Sequence, residues 1–354
     1  MQPDISLSQL VKSLSEPSEL LTLGRNWRFA YQKLLTAKLD ELLNSGMTSI
    51  EDLAVTRQIL RPETLGRWLL HPEVAHALLH ARHGSDSQLR TLSSTLLLAF
   101  RLETPPDSPT NSLLRNIDLD EVLLEHHGII CEATGGLNIL PQKGYFSTLT
   151  TPKNHIFLSS VIDSTLNRLR DLSLCGYGVV TENTTLLCIR EDIENPNSYS
   201  SSSYAHYAGL TLLVNIESAH IDEFRLIDSL YHEAIHAVIY FYEELICEMV
   251  DTAVNTEQTI RSPWSGNTLG VSQYIQACFV WWGLLNFWTT LRVNSNILGS
   301  SEWLEHRARK GFELNPSTIL HENKVALRSV SSDASAAISI IQSDFISRFQ
   351  NSGS

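Results

Sequence analysis

Apolar residues recur at helical spacing through the first third of the chain. Between Ser15 and Leu43 they fall at Leu20, Leu23, Trp27, Tyr31, Leu34, Leu35, Leu39, Leu42 and Leu43, which predicts a long amphipathic helix ending near Gly46. A second such stretch runs from Ser49 to Leu60. Pro62 and Pro72 fit the first turns of two more helices, where a missing N–H removes no helical hydrogen bond. Ser94 to Leu102 predicts another, and Pro105-Pro106-Asp107-Ser108-Pro109 breaks the pattern.

Near residue 128 the pattern changes. Short apolar runs bounded by Gly, Pro or Asn read as strands: Gly128–Cys131, Leu137–Leu140, His155–Leu158, Gly178–Val180, Thr185–Ile189 and Leu210–Asn215. The Ser- and Tyr-rich piece from Asn195 to Tyr207 reads as a loop able to act as a flap. From Ile221 onward helical spacing returns, apart from Arg261 to Gly266. The longest apolar run, Cys278 to Trp288, contains Asn286 and predicts a buried helix. The expected class is α+β: mainly helical, with a small sheet beside a helix carrying an HExxH motif. Residues 1–127 form the expected helical N-terminal region, and residues 128–354 a metal-binding region.

Composition narrows the functional classes. The 354 residues are 43% hydrophobic and 18% charged, as in globular proteins. No apolar run reaches the roughly 20 residues of a membrane helix, and the first residues lack the basic and apolar regions of a signal peptide. A cytoplasmic protein without a membrane partner is expected. Cys131, Cys175, Cys188, Cys247 and Cys278 lie far apart, which fits reduced thiols rather than a disulfide framework or a zinc ribbon. A net charge of -13 without Lys/Arg clusters argues against nucleic acid and suits a neutral or basic peptide partner.

The chemistry concentrates at His232-Glu233-Ala234-Ile235-His236. Two histidines four residues apart share one helix face and can bind one metal ion. Glu233 lies about 100° around the helix from His232, within reach of a metal-bound water. A third ligand is needed. Ile239 and Tyr242 occupy the positions where a metzincin has Gly and His, which excludes that class. A thermolysin-like site takes a carboxylate from a later element, with Glu243, Glu244, Glu248 and Glu257 in range. Glu243 and Glu244 lie too far along the motif helix; Glu257 fits, and reads equally as a solvated surface residue. On these residues alone, a zinc peptidase with Glu233 activating water is one reading.

Other groups carry weaker signals. His76 and His80 repeat the i, i+4 spacing, with His83 nearby, but without an accompanying carboxylate. His126 and His127 are adjacent, so they should diverge and face solvent. Tyr204 and His206 precede the strand leading to the motif and could line a substrate entrance. Gly135-Gly136 reads as a turn. No GxSxG or P-loop is present.

Tyr231-His232-Glu233-Ala234-Ile235-His236-Ala237, then Arg261-Ser262-Pro263-Trp264-Ser265-Gly266-Asn267, then Tyr274-Ile275-Gln276-Ala277-Cys278-Phe279-Val280-Trp281-Trp282-Gly283-Leu284, together resemble the HExxH-type peptide-modifying proteins of bacterial ribosomal-peptide pathways. The resemblance spans residues 209 to 288. It implies an iron(II)- and 2-oxoglutarate-dependent oxygenase that β-hydroxylates a residue of a precursor peptide. His232, His236 and Gln276 would ligate the metal, Glu233 would orient them, and Trp264, Trp281 and Trp282 could wall the site, with ordinary core packing the expectation for at least two of the three. Two departures stand out. Gln276 occupies the place of a family histidine, and is a neutral, weaker donor. Ser265 and Asn267 replace a basic residue after the Ser-Pro-Trp turn, so Arg261 or Arg292 must supply the cationic anchor for 2-oxoglutarate. A zinc metallopeptidase and a non-catalytic peptide-binding relative remain the alternatives.

Overall fold

The computed structural model describes residues 6–44, 62–80, 124–132, 149–150, 154–218, 221–251, 258–294 and 300–350. The helices expected over 49–60 and 94–102, the proline break at 105–109 and the strand over 137–140 lie outside them.

In chain order the described elements begin with α1 (Leu7–Leu14), α2 (Pro17–Asn44), α3 (Pro62–Leu69) and α4 (Pro72–His80). Strands β1 (Leu124–His126), β2 (Ile129–Glu132) and β3 (Leu149–Thr150) precede α5 (His155–Leu172) and α6 (Leu174–Asn183). Then come β4 (Leu186–Asp192), β5 (Ser200–Ser202), β6 (Leu210–Val214) and α7 (Glu223–Leu245). A hairpin of β7 (Thr259–Arg261) and β8 (Thr268–Gly270) leads into α8 (Val271–Asn294). Helices α9 (Ser300–Glu313), α10 (Pro316–Glu322), α11 (Lys324–Leu327) and α12 (Ser332–Phe345) complete the α+β set. Among the described residues, no helix is long and apolar enough to cross a membrane.

The chain forms two compact units interleaved in sequence. One comprises Met1–Trp27, Ser164–Asn183 and Asp222–Ser354; the other comprises Arg28–Asp163 and Thr184–Ile221. The second holds a six-stranded sheet in the order β1-β2-β4-β6-β5, with β3 pairing β4. β2, β4 and β6 run parallel, in register from Leu186↔Leu210 to Arg190↔Val214 across the central pair. Every residue of β6, and all of β4 but Glu191, is buried, as parallel strands covered on both faces require. At the carboxyl end of this set, the Arg190 guanidinium bonds the Glu132 carboxylate, and both side chains are buried.

Two expected strands are helices. His155–Leu158 opens α5, where Asn154 Oδ1 accepts from Phe157 N at 3.1 Å. Leu158, Ile162, Leu166 and Leu169 then form one buried stripe, a period a four-residue window cannot reveal. Gly178–Val180 lies inside α6, capped by Ser173 Oγ, which accepts from Gly176 N at 2.9 Å. Its glycines allow close packing: a Cβ at Gly176 would meet Phe287 at 2.7 Å, and one at Gly178 would meet Leu21 at 2.8 Å. Tertiary packing thus outweighs the β preference of Val179 and Val180. Within the expected loop over 195–207, Ser200–Ser202 pairs antiparallel with β6 as an edge strand.

His126 and His127 also depart from expectation, because they converge. His127 and Gly128 form the two-residue turn between β1 and β2 with φ of 53° and 86°, the left-handed backbone of a tight hairpin. That turn brings His127 Nε2 to 3.0 Å and His126 Nδ1 to 3.5 Å from Asp163 Oδ1, and His126 Nε2 also bonds Ser159 Oγ. Both imidazoles are partly buried rather than solvent-facing.

The other unit is a helical core whose largest buried side chains include Trp282, Trp288, Tyr231, Tyr274 and Phe287. Tyr231 of α7 stacks on Phe287 of α8, with ring centres 4.0 Å apart. Gly283 lets the two helices approach: an added Cβ would meet Ile235 Cδ1 at 2.6 Å and Leu14 Cδ2 at 2.9 Å. The run from Cys278 to Trp288 is the expected buried helix.

Candidate metal centre

α7 begins at Asp222, whose Oδ1 accepts from Arg225 N at 2.8 Å, with Glu223 in the favourable first turn. Its apolar positions face the core and hold a polar stripe at Asp228, His232 and His236, one turn apart. The ligand atoms of His232, Glu233 and His236 all lie within 4.8 Å of one another. Glu233 is 2% exposed, and the two histidines are partly buried. Burial lowers the pKa of both imidazoles to about 4; nearby Arg307 adds to the shift at His232, and His232 adds to it at His236. Near neutral pH both rings are therefore uncharged, with lone pairs available to a metal.

His236 Nδ1 is buried and has no hydrogen-bond partner among the described residues. A buried polar atom left this way is costly unless something outside the chain engages it. Two neutral imidazoles and a carboxylate suit a borderline divalent ion such as zinc or iron(II). The residues present fit a metal.

Gln276 of α8 lies beside His236. Its Nε2 donates to Glu243 Oε2 at 3.1 Å, and a hydrogen bond between its amide and His236 partly opposes the downward shift of that histidine. Glu243, two turns beyond His236, thus meets Gln276, and burial pushes its carboxyl up to about 7. Arg261 is exposed in the hairpin, where its Nε donates to Gly266 O at 3.2 Å. Arg292 sits in the last turn of α8 and ion-pairs with the buried Glu305 at 3.0 Å. Glu257 and His83 lie outside the described residues, as does Gly135-Gly136. Tyr204 bonds Ser202, and His206 packs against His76 within the sheet-bearing unit.

The three tryptophans separate by role. Trp281 meets His232 edge-on at 6.0 Å and is itself backed by Trp264, parallel at 5.9 Å. Trp264 is seated by the Ser-Pro-Trp turn: Ser262 Oγ accepts from Trp264 N and Ser265 N, both at 3.3 Å. Its own Nε1 donates to Ala308 O of α9 at 3.0 Å. Trp282 faces Phe312 and Phe349, consistent with core packing.

Sequence reasoning missed Arg307 and Asp228. Arg307 lies over Trp281 at 4.7 Å, and burial lowers its pKa. Asp228, one turn before His232, accepts from Trp288 Nε1 at 2.6 Å. The available signal was the position of Asp228 on the motif stripe; no local signal marks Arg307.

Burial pushes Asp228 up to about 6, against the Trp288 hydrogen bond and the pull of Arg307 and Arg225. A folded-state value above the unfolded one favours the fold at low pH, and that contribution is lost as pH rises through about 6. Asp228→Asn removes the titration while keeping an acceptor for Trp288. It is expected to match the wild type near pH 4 and to exceed it at pH 8 by roughly 2 kcal/mol, at 1.36 kcal/mol per pKa unit. Urea unfolding at the two pH values measures the difference.

Compared with protein-family models and with curated proteins, the chain matches none.

Proposed function

We propose that the protein is a cytoplasmic iron(II)- and 2-oxoglutarate-dependent oxygenase that β-hydroxylates a residue of a ribosomally made precursor peptide. The observation that carries this reading is the convergence of His232, Glu233 and His236 within 4.8 Å, with His236 Nδ1 buried and unengaged. The resemblance over residues 209 to 288 supplies the reaction class, and the aromatic wall beside the histidines supports it.

His232 and His236 would hold the ion, with the Gln276 amide as neighbour or third donor. Bound iron supplies the chemistry by which dioxygen and a 2-oxo acid oxidise a C–H bond. Glu233, buried against both rings, fixes their orientation and balances the ion's charge. Trp281 covers the edge of His232 and keeps water from that side.

A second reading, a zinc peptidase, is favoured by the closeness of the Glu233 carboxylate to the histidine nitrogens, where it could take a proton from water. Glu233→Gln separates the two. For an oxygenase, mass spectrometry of a co-expressed precursor peptide shows one added oxygen atom, and the variant keeps its metal and part of this activity. For a peptidase, the peptide is cleaved by the wild type, and cleavage falls by orders of magnitude in the variant. Cleavage without oxygen addition overturns the first reading.

A further inference from the structure

We propose that Arg307 is the receptor for a carboxylate on the ligand that reaches the histidine pair, an inference that rests on reading His232, Glu233 and His236 as a metal centre. The guanidinium lies on α9, 4.7 Å from the centre of the Trp281 ring and 5.7 Å from that of Trp303. Trp281 in turn stands 6.0 Å from His232, so the cation and the histidine share one indole. Trp303 is 48% exposed and also faces Arg225 at 5.8 Å. An alternating series thus runs from the histidines to the surface: Trp281, Arg307, Trp303, Arg225.

Within it Arg307 is partly buried and lacks its natural complement. Among the described residues no carboxylate comes within ion-pairing distance of it, and none accepts a hydrogen bond from it. The Asp228 charge acts on Arg307 without pairing with it, and its Oδ1 is engaged by Trp288 Nε1 at 2.6 Å. Arg225 faces Arg307 with like charge. A partly buried guanidinium beside a second cation favours an anion joining it. The Trp281 face holds the guanidinium carbon 4.7 Å from the ring centre, and a fork of donors kept there suits a carboxylate. The Trp264 bond to Ala308, the next residue, sets where this part of α9 lies. Arg261 has an acceptor in Gly266 O, and Arg292 an ion-pair partner in Glu305.

The carboxylate can belong to a small 2-oxo acid or to an acidic side chain of a peptide. Calorimetry on the zinc-loaded protein, which binds without turnover, distinguishes them: 2-oxoglutarate is titrated in one arm and a short glutamate-containing peptide in the other. The expected result is 2-oxoglutarate binding that weakens roughly 30-fold or more in Arg307→Met and less in Arg307→Lys, with zinc affinity within threefold of wild type. Arg307→Lys carries the test should the methionine variant fail to fold. Undiminished 2-oxoglutarate affinity in both variants overturns the assignment and leaves the oxygenase reading standing. Binding of the peptide alone, lost in Arg307→Met, upholds the carboxylate receptor and removes the 2-oxoglutarate reading. Binding of neither acid by the zinc-loaded wild type overturns the receptor.

Discussion

His236→Ala is expected to leave a folded protein that no longer binds metal. Wild-type chain loaded with zinc or iron(II) should carry one equivalent, and the variant should lose affinity by on the order of 100-fold or more, since each protein ligand carries a substantial share of metal binding. The stability readout is as informative as the metal content. In the apo wild type, His236 Nδ1 is buried without a partner, so removing the ring removes an unsatisfied group along with some packing. Apo variant and apo wild type should therefore melt within a few degrees of each other. Metal in excess should raise the melting temperature of the wild type only, because an ion held at about 1,000 times its dissociation constant adds roughly 4 kcal/mol. Retention of one tightly bound ion by the variant would place the metal elsewhere.

The helix behind that prediction was legible because its signals are local. Spacing alone puts His232 and His236 on one face, and the apolar residues around them already describe one helix from Ile221 to Glu244, against the observed Glu223–Leu245. β2, β4 and β6 were legible for a similar reason, each being a short apolar run with clear boundaries. Local windows failed where distant contacts decide. Gly178–Val180 reads as a strand until Leu21 and Phe287 explain its neighbouring glycines as close contacts in a helix. His126 and His127 diverge on any regular element, and only the left-handed backbone at His127 turns both toward Asp163. Arg307 is the instructive omission. It lies on another helix from the motif and joins the site through Trp281 and through the Trp264 contact at Ala308, neither of which has a sequence period. The residues near the Ser-Pro-Trp turn pointed to Arg261 or Arg292 as the cation. The turn itself seats an indole that stacks on Trp281, the ring over which Arg307 of α9 lies.

Gly311→Ala should expose that dependence. In an ordinary helix the change would stabilise by about 1 kcal/mol, because alanine is the better helix former. Here a Cβ at position 311 would stand 2.0 Å from Trp264 Nε1 and 2.1 Å from Cδ1. The indole has little freedom to retreat: it is stacked on Trp281, meets Phe312 edge-on at 5.1 Å, and donates to Ala308 O one turn before the glycine. Overpacking of a rigid ring costs about 1–3 kcal/mol or more, enough to reverse the gain in helix propensity. A fall in melting temperature of roughly 5 °C is expected. Relief of the clash must also shift Trp264 relative to α9, and with it the seat of Arg307 on Trp281. 2-Oxoglutarate affinity of the zinc-loaded protein should therefore fall, while zinc content stays at the wild-type level, because His232, Glu233 and His236 lie on a different helix. A variant that melts higher than the wild type would show that the indole is not seated against Gly311. A variant that melts lower but binds 2-oxoglutarate unchanged would separate the Ser-Pro-Trp turn from carboxylate recognition.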